Sequence, residues 1–192
     1  QLEGPGVDAL LAAIAARKPV LLVAAHFGNH EVPRHILTRM GHTVGGLYRP
    51  FSNAYVNADY EASLAALDGP VFRQGPRGTI GLLRHLKGGG IGTLFYDVKY
   101  SGGVALDFLG KPAMTAVSAA EIALKVDAVV LPWFGVRRAD GLTFKAVVCA
   151  PIPHTDPVTM TEQMHSCLAD MIDANPAQWF WIHRRWKHAP PA

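Results

Sequence analysis

Pro19-Val-Leu-Leu-Val-Ala-Ala-His-Phe-Gly-Asn-His-Glu31 is the stretch whose reading decides the fold. Val20 to Ala25 is an unbroken apolar run, too short to span a bilayer and of the right length for a strand buried on both faces. It stops at His26. Phe27, Gly28 and Asn29 then signal a turn, with Asn29 or His30 placed as a helix N-cap. Pro33 agrees with a helix start, because the first helical turn has no amide partners to lose. Val32, Ile36 and Met40 follow on one helical face. The expectation is a strand–turn–helix unit with His26 at the carboxyl end of a central strand and Glu31 in the first helical turn. Open α/β sheets place their sites at that edge.

The spacing suggests chemistry. An imidazole at a strand end is a candidate general base, and a carboxylate across a tight turn can fold back to it. Glu31 would accept from one ring nitrogen of His26, fix its tautomer and stabilise the imidazolium formed on proton uptake. The positive end of the helix favours an ionised Glu31. The motif holds no serine or cysteine, which points to activation of a substrate hydroxyl rather than of an enzyme nucleophile. The same spacing also fits a strand-capping His26 and a first-turn helix acid at Glu31.

Working outward, Val7, Leu10, Leu11 and Ile14 form the apolar face of a helix that ends before Pro19. Thr43 to Tyr48 reads as a strand leading into Arg49-Pro50. Val56, Tyr60, Leu64 and Leu67 mark a helix closed by Asp68-Gly69-Pro70. Val71 to Gln74 is a short strand, and Gly75-Pro-Arg-Gly78 opens a helix carrying Ile80, Leu83 and Leu86. Ile91 to Tyr96 is a strand ending on Asp97. This alternation predicts an α/β fold, a mostly parallel central sheet flanked by helices on both faces. In the second half, Tyr100 to Gly110 reads as a Gly-rich loop with a short extended piece, and Ala116 to Lys125 as a helix. Ala128 to Arg137 and Leu142 to Ala150, joined by Ala139-Asp-Gly141, predict an antiparallel hairpin. Met160, Met164, Cys167, Leu168, Met171 and Ile172 line a last helix. With no internal repeat or linker, residues 1–192 read as a single domain.

The chain has 192 residues, enough for one sizeable core; 49% are hydrophobic and 17% charged, an apolar balance that suits contact with lipid or a large α/β core. A net charge of +3 permits an acidic partner without demanding one. Cys149 and Cys167 are too few for a disulfide framework and read as reduced core thiols in a cytosolic setting. No apolar run reaches the length of a membrane span, and no signal peptide is visible.

His26-Phe-Gly-Asn-His-Glu31 resembles the H-x4-D/E motif of glycerolipid acyltransferases, in the form found in the lipid A biosynthesis (lauroyl/myristoyl-type) acyltransferases. Gly46-Leu-Tyr-Arg-Pro50, Phe108-Leu-Gly-Lys-Pro112, Val130-Leu-Pro-Trp-Phe134 and Trp181-Ile-His-Arg-Arg-Trp-Lys187 resemble further blocks of that family, in the family's order. The resemblance covers roughly residues 15 to 188. It implies a glycerolipid-acyltransferase-like fold and transfer of a fatty acyl chain to a hydroxyl of a lipid A precursor or related bacterial glycolipid. The donor it implies is acyl carrier protein or a CoA thioester, with His26 and Glu31 as the general-base dyad and no cofactor beyond the thioester. It also implies work at an anionic membrane surface, the cytoplasmic face of the bacterial inner membrane. An N-terminal membrane anchor typical of the family has no counterpart in these residues.

The resemblance makes Arg49 and Arg77 candidates for binding acceptor phosphates, a task suited to the planar guanidinium. Asp97 is a further substrate-binding candidate: it matches the acid of a family Asp-Gln block, although Val98 replaces the Gln; a strand-end Asp capping the next turn is the alternative. Phe27, Leu47, Phe51, Phe95 and Phe108 lie near expected strand ends or site loops and are candidates for an acyl groove. The aromatic and basic residues from Trp179 to Lys187 suit a membrane interface, a glycolipid phosphate or an inward-packed strand with a basic outer face. They are also the ingredients of a nucleic-acid binder, but the resemblance points to no nucleic acid. A non-catalytic lipid-binding domain is the other competing class. For a His-Glu-x-x-His zinc site the second His would fall at position 34, which is Arg, so no metal is expected.

Overall fold

The computed structural model describes residues 1–65 and 69–187. Its elements are β1 (Leu2–Glu3), α1 (Val7–Ala15), β2 (Val20–Gly28), α2 (Glu31–Arg39), β3 (Val44–Tyr48), α3 (Ala54–Ala65), β4 (Val71–Arg73) and α4 (Pro76–Lys87). Then come β5 (Ile91–Phe95), β6 (Val104–Phe108), β7 (Lys111–Thr115), α5 (Ser118–Val126), β8 (Val129–Arg137), β9 (Phe144–Val148) and α6 (Pro157–Ala174), followed by a 3-10 turn at Pro176–Gln178. Leu67 and Asp68, expected in and after α3, lie outside the described residues.

One seven-stranded sheet runs in the order β1-β9-β8-β2-β5-β3-β4, parallel throughout except for β9 against β8. The α/β fold with a mostly parallel sheet and a second-half hairpin is therefore as the sequence predicts. β2 lies at the middle, between β8 and β5, and its side chains split by alternation. Leu21, Val23, Ala25 and Phe27 enter a core with α4, α5 and α6, while Val20, Leu22 and Ala24 meet α1 and α2 on the other face. Each fully buried Val or Leu contributes about 1.5–3 kcal/mol, which explains why this run admits no polar residue before His26.

Several local expectations are corrected. Tyr100 to Gly110 is not mainly loop: β6 pairs antiparallel with β7 in a separate two-stranded ribbon. Its turn is Leu109-Gly110, both with positive φ (54° and 73°), the conformation of a tight hairpin turn. On α2 the buried stripe is Pro33, Arg34 and Leu37 rather than Val32, Ile36 and Met40, and Met40 is exposed. The helix is rotated about one residue from the apolar stripe, carrying a charged side chain inward. The segment after α6 is turn rather than strand, and its outer face is not uniformly basic. Arg185 is fully buried, donating to the Met114 carbonyl (2.8 Å) and the Thr115 hydroxyl (2.5 Å).

Arg185 also fixes the state of His165 on α6. The His165 Nδ1–H donates to the Asp107 carbonyl at 3.1 Å, and Nε2 accepts from Arg185 Nη2 at 3.3 Å. Burial, then the Arg185 charge, pull this imidazole down to about 4, with weaker opposition from Asp107 and Asp97. An unfolded histidine binds its proton near pH ~6.5, so folding excludes that proton. Stability is accordingly full above pH ~6.5 and falls as the pH drops toward 4, by about 3 kcal/mol in all. Urea titrations across that window are expected to show this loss in the wild type and a flatter profile in His165→Gln; equal slopes would remove His165 as its source.

Candidate active site

His26 occupies an irregularity in β2. β2 pairs with β8 at Ala24↔Trp133 and next at Gly28↔Gly135, so more residues of β2 than of β8 lie between the two pairs and the strand bows outward. Glycine is required where the backbones touch: a Cβ on Gly28 (φ +54°) would stand 2.0 Å from the Gly135 carbonyl oxygen, and one on Gly135 1.9 Å from that of Asn29. The bowed backbone is secured by Phe180 N–H donating to the His26 carbonyl at 2.9 Å. The expected cap is present in part: Asn29 Oδ1 accepts from Glu31 N–H at 3.1 Å, while His30 holds the cap position without a side-chain bond.

The carboxylate that meets His26 is that of Asp97. Asp97 follows β5, the strand beside β2, and its Oδ1 lies 2.8 Å from His26 Nδ1. Its Oδ2 accepts from the His26 backbone N–H at 2.8 Å and from the Trp179 indole N–H at 3.1 Å. Asp97 is only 3% exposed. Burial alone would raise its carboxyl, but the hydrogen bonds and charge of His26, with the Trp179 bond, outweigh it and hold the group below the ordinary carboxylate range. Its stabilising contribution is present above pH ~4 and is lost as the pH falls through its lower folded value. An ionised Asp97 accepts the Nδ1 proton of His26 and leaves Nε2 as the basic nitrogen.

Glu31 therefore does not take the place expected of it. Its carboxylate lies 3.7 Å from His30 Nε2, on the helix that starts after the bulge. The reason is geometric: the bulge turns the His26 ring toward β5, and α2 carries Glu31 to the β3 side. His30 itself is pulled below its ordinary value by burial, with Glu31 opposing.

A narrow cleft opens beside the pair. It is lined by Glu31, His30, Leu47, Tyr48, Tyr60 and Phe95, with Arg34, Thr93 and Trp133 among its other walls, and encloses about 30 Å³, room for one or two waters. Phe95 joins it to the base, with its ring 4.5 Å from the His26 ring centroid to centroid. Of the groove candidates, Leu47 and Phe95 line this cleft. Phe51 is exposed, edge-on to Tyr60 at 5.1 Å. Phe27 and Phe108 are core residues instead: strand alternation turns Phe27 to the opposite face against Phe134, and Phe108 lies beneath Trp179 and Trp186. Arg49 and Arg77 are both exposed, after β3 and in the first turn of α4. Among the described residues no group of three or more His, Cys, Asp or Glu side chains is placed to hold a metal ion. Cys149 and Cys167 are free thiols, partly buried against the core.

Sequence reasoning missed Trp179 and Arg34 as parts of this region. The clue for Trp179 was weak, one ring among several; for Arg34 it was a cation one turn after Glu31.

Comparison with known proteins identifies the family. The chain is 25% identical over 181 residues to a lipid A biosynthesis acyltransferase of Haemophilus influenzae, covering 89% of this chain and 56% of that protein. It is 28% identical over 189 residues to a phosphatidylinositol mannoside acyltransferase of Mycobacterium tuberculosis, covering 94% of this chain and 58% of the other. The chain thus spans just over half the length of these curated relatives. A family model described as bacterial lipid A biosynthesis acyltransferase matches residues 1–188, and the chain belongs to that family.

Proposed function

We propose that this chain is an acyltransferase domain that moves a fatty acyl chain from acyl carrier protein or a CoA thioester to a hydroxyl of a lipid A precursor or related bacterial glycolipid. The observation that carries this reading is the His26–Asp97 pair at the carboxyl edge of the sheet, in a member of this family. His26 Nε2 takes the proton of the acceptor hydroxyl as its oxygen attacks the thioester carbonyl. The tetrahedral intermediate collapses with cleavage of the C–S bond, and the departing thiolate takes the proton back from Nε2. The products are an ester and a free thiol, with no further cofactor. Asp97 acts through His26 as a positioning residue. Glu31, on the wall of the cleft, holds acceptor hydroxyls, and the exposed Arg49 and Arg77 meet acceptor phosphates.

A fatty acyl chain gains about 0.8 kcal/mol per buried methylene, so the site needs an apolar path. Ligand pockets of drug size run ~300–1,000 Å³, so the cleft has to widen. α3 is the wall able to move: nearly all its side chains are exposed, with Tyr60 and Leu64 the ones that reach the cleft.

We also place the domain peripherally at the cytoplasmic face of the inner membrane. No helix among the described residues is long and apolar enough to cross a membrane. Phe180, Trp181 and Ile182 are exposed in the segment that holds the His26 carbonyl, giving the site an apolar rim. Ile182, 83% exposed, is the cleanest probe. Burying such a side chain in lipid contributes about 1.5–3 kcal/mol, so Ile182→Asp is expected to weaken co-sedimentation with phosphatidylglycerol vesicles by roughly tenfold or more. Unchanged sedimentation would remove the rim from the proposal. The activity itself is tested by mass spectrometry of glycolipid incubated with protein and acyl thioester; an acceptor that gains no acyl mass with either donor class would sink the reading.

A further inference from the structure

The base of the cleft contains unspent hydrogen-bond donors from three separate elements. Arg34 on α2, Thr93 on β5 and Trp133 on β8 all line it. Arg34 Nε and Nη2, Thr93 Oγ1 and Trp133 Nε1 are sealed from solvent and have no hydrogen-bond partner among the described residues. Arg34 is 4% exposed. The ion pairs among the described residues do not include it, and the Glu31 carboxylate one turn earlier lies toward His30 at 3.7 Å. A guanidinium buried with two nitrogens unbonded is a costly arrangement; the fully buried Arg185, by contrast, is bonded to the Met114 carbonyl and the Thr115 hydroxyl. Burial draws its proton affinity down, and the nearby Glu31 restores only part.

The chemistry of these groups selects a ligand. Guanidinium and indole N–H only donate, and the hydroxyl is free to donate, so the missing partner is rich in acceptors. The unpaired positive charge calls for an anion. A tetrahedral oxyanion turns oxygens toward three elements at once, whereas a planar carboxylate offers two oxygens in one plane; the guanidinium fork matches phosphate. We infer that Arg34, Trp133 and Thr93 form a subsite for a phosphate group, deeper in the cleft than the exposed Arg49 and Arg77.

Two substrates of the proposed reaction carry such a group: the glycolipid acceptor and the phosphopantetheine arm of the thioester donor. The subsite stands on the geometry, and only its assignment to one substrate rests on the acyl-transfer reading.

Inorganic phosphate is the first probe. It is expected to raise the melting temperature of the wild type in a concentration-dependent way. The response is expected to vanish in Arg34→Met and to persist in part in Arg34→Lys, which keeps a point charge without the fork. Should Arg34→Met not fold, Trp133→Phe and Thr93→Val are each expected to weaken phosphate binding several-fold. A wild type that does not respond, or a response that survives these substitutions, overturns the subsite. Kinetics then separate the sources. Loss of a charge-assisted contact is expected to raise one KM about tenfold in Arg34→Met. A rise for the glycolipid assigns the acceptor phosphate. A rise for acyl-CoA, absent with the phosphate-free acyl N-acetylcysteamine thioester, assigns the donor arm. No change in either KM overturns the role in substrate binding. Failure of the wild type to transfer acyl groups counts against the acyl-transfer reading, and the melting response still decides the subsite.

Discussion

His26→Ala is expected to lower kcat for acyl transfer by roughly 10²- to 10⁴-fold, the usual contribution of a positioned general base. The imidazole does two jobs in the proposed reaction, taking the acceptor proton and returning it to the thiolate. Of the neighbouring imidazoles, His30 has its ring centroid 6.0 Å from that of His26 but its Nε2 faces Glu31, and the Nε2 of His183 accepts from the Lys99 N–H at 2.9 Å. His26 is 36% exposed and packs no core, but its loss leaves the buried Asp97 Oδ1 without its partner, so the variant is expected to melt several degrees below the wild type and kcat is read well below that transition. Turnover near the wild-type value with both substrates present would remove His26 from the mechanism.

Asp97→Asn is expected to be nearly as damaging to kcat, by about 10²-fold or more, while Glu31→Gln acts mainly on acceptor KM. The substituted side chain would present an amide where Nδ1–H needs an acceptor, and one orientation of that amide favours the wrong tautomer of the base. Removing the carboxylate also removes the charge that steadies the imidazolium formed in the reaction, so the loss falls on kcat while both KM values stay close to wild type. A solely structural Asp97 would lower stability and leave kcat of the folded fraction alone. Glu31, bonded to neither ring nitrogen of His26 among the described contacts, lacks that leverage. A larger kcat loss in Glu31→Gln than in Asp97→Asn would return Glu31 to the role of orienting acid.

The frame of the molecule was legible where burial is symmetrical. The run from Val20 to Ala25 is apolar at every position because strands pack on both of its edges and helices on both of its faces, and only the centre of a parallel sheet demands that. The hairpin of β8 and β9 was equally plain, since Asp140 and Gly141 supply the turn: Asp140 Oδ1 accepts from Leu142 and Thr143 N–H at 2.9 Å each. The ribbon of β6 and β7 was not, because its turn seats Leu109 at positive φ, a conformation that leucine does not advertise, and Pro112 stands inside its second strand. In the site, local spacing favoured Glu31, close in sequence to His26. The partner came from a neighbouring strand 71 residues away, a distance that periodicity does not read. Asp97 was visible as a substrate-binding candidate at a strand end, without its tie to His26. Arg185 was read onto a basic outer face and Arg34 was given no role, yet both point inward, where tertiary packing overrides the polar pattern.

The three hydrogen bonds on Asp97 set a timetable for the chain. Two come from His26, but the third comes from Trp179, a further 82 residues along. During synthesis β2 and β5 emerge and can pair long before Trp179 leaves the ribosome. Until it does, Asp97 has one oxygen only partly satisfied, and the His26 carbonyl lacks the amide of Phe180. A partial chain would then own a histidine and a carboxylate without the stiffness that makes them a base. Such an order of assembly would keep an unfinished protein from squandering acyl thioesters on water.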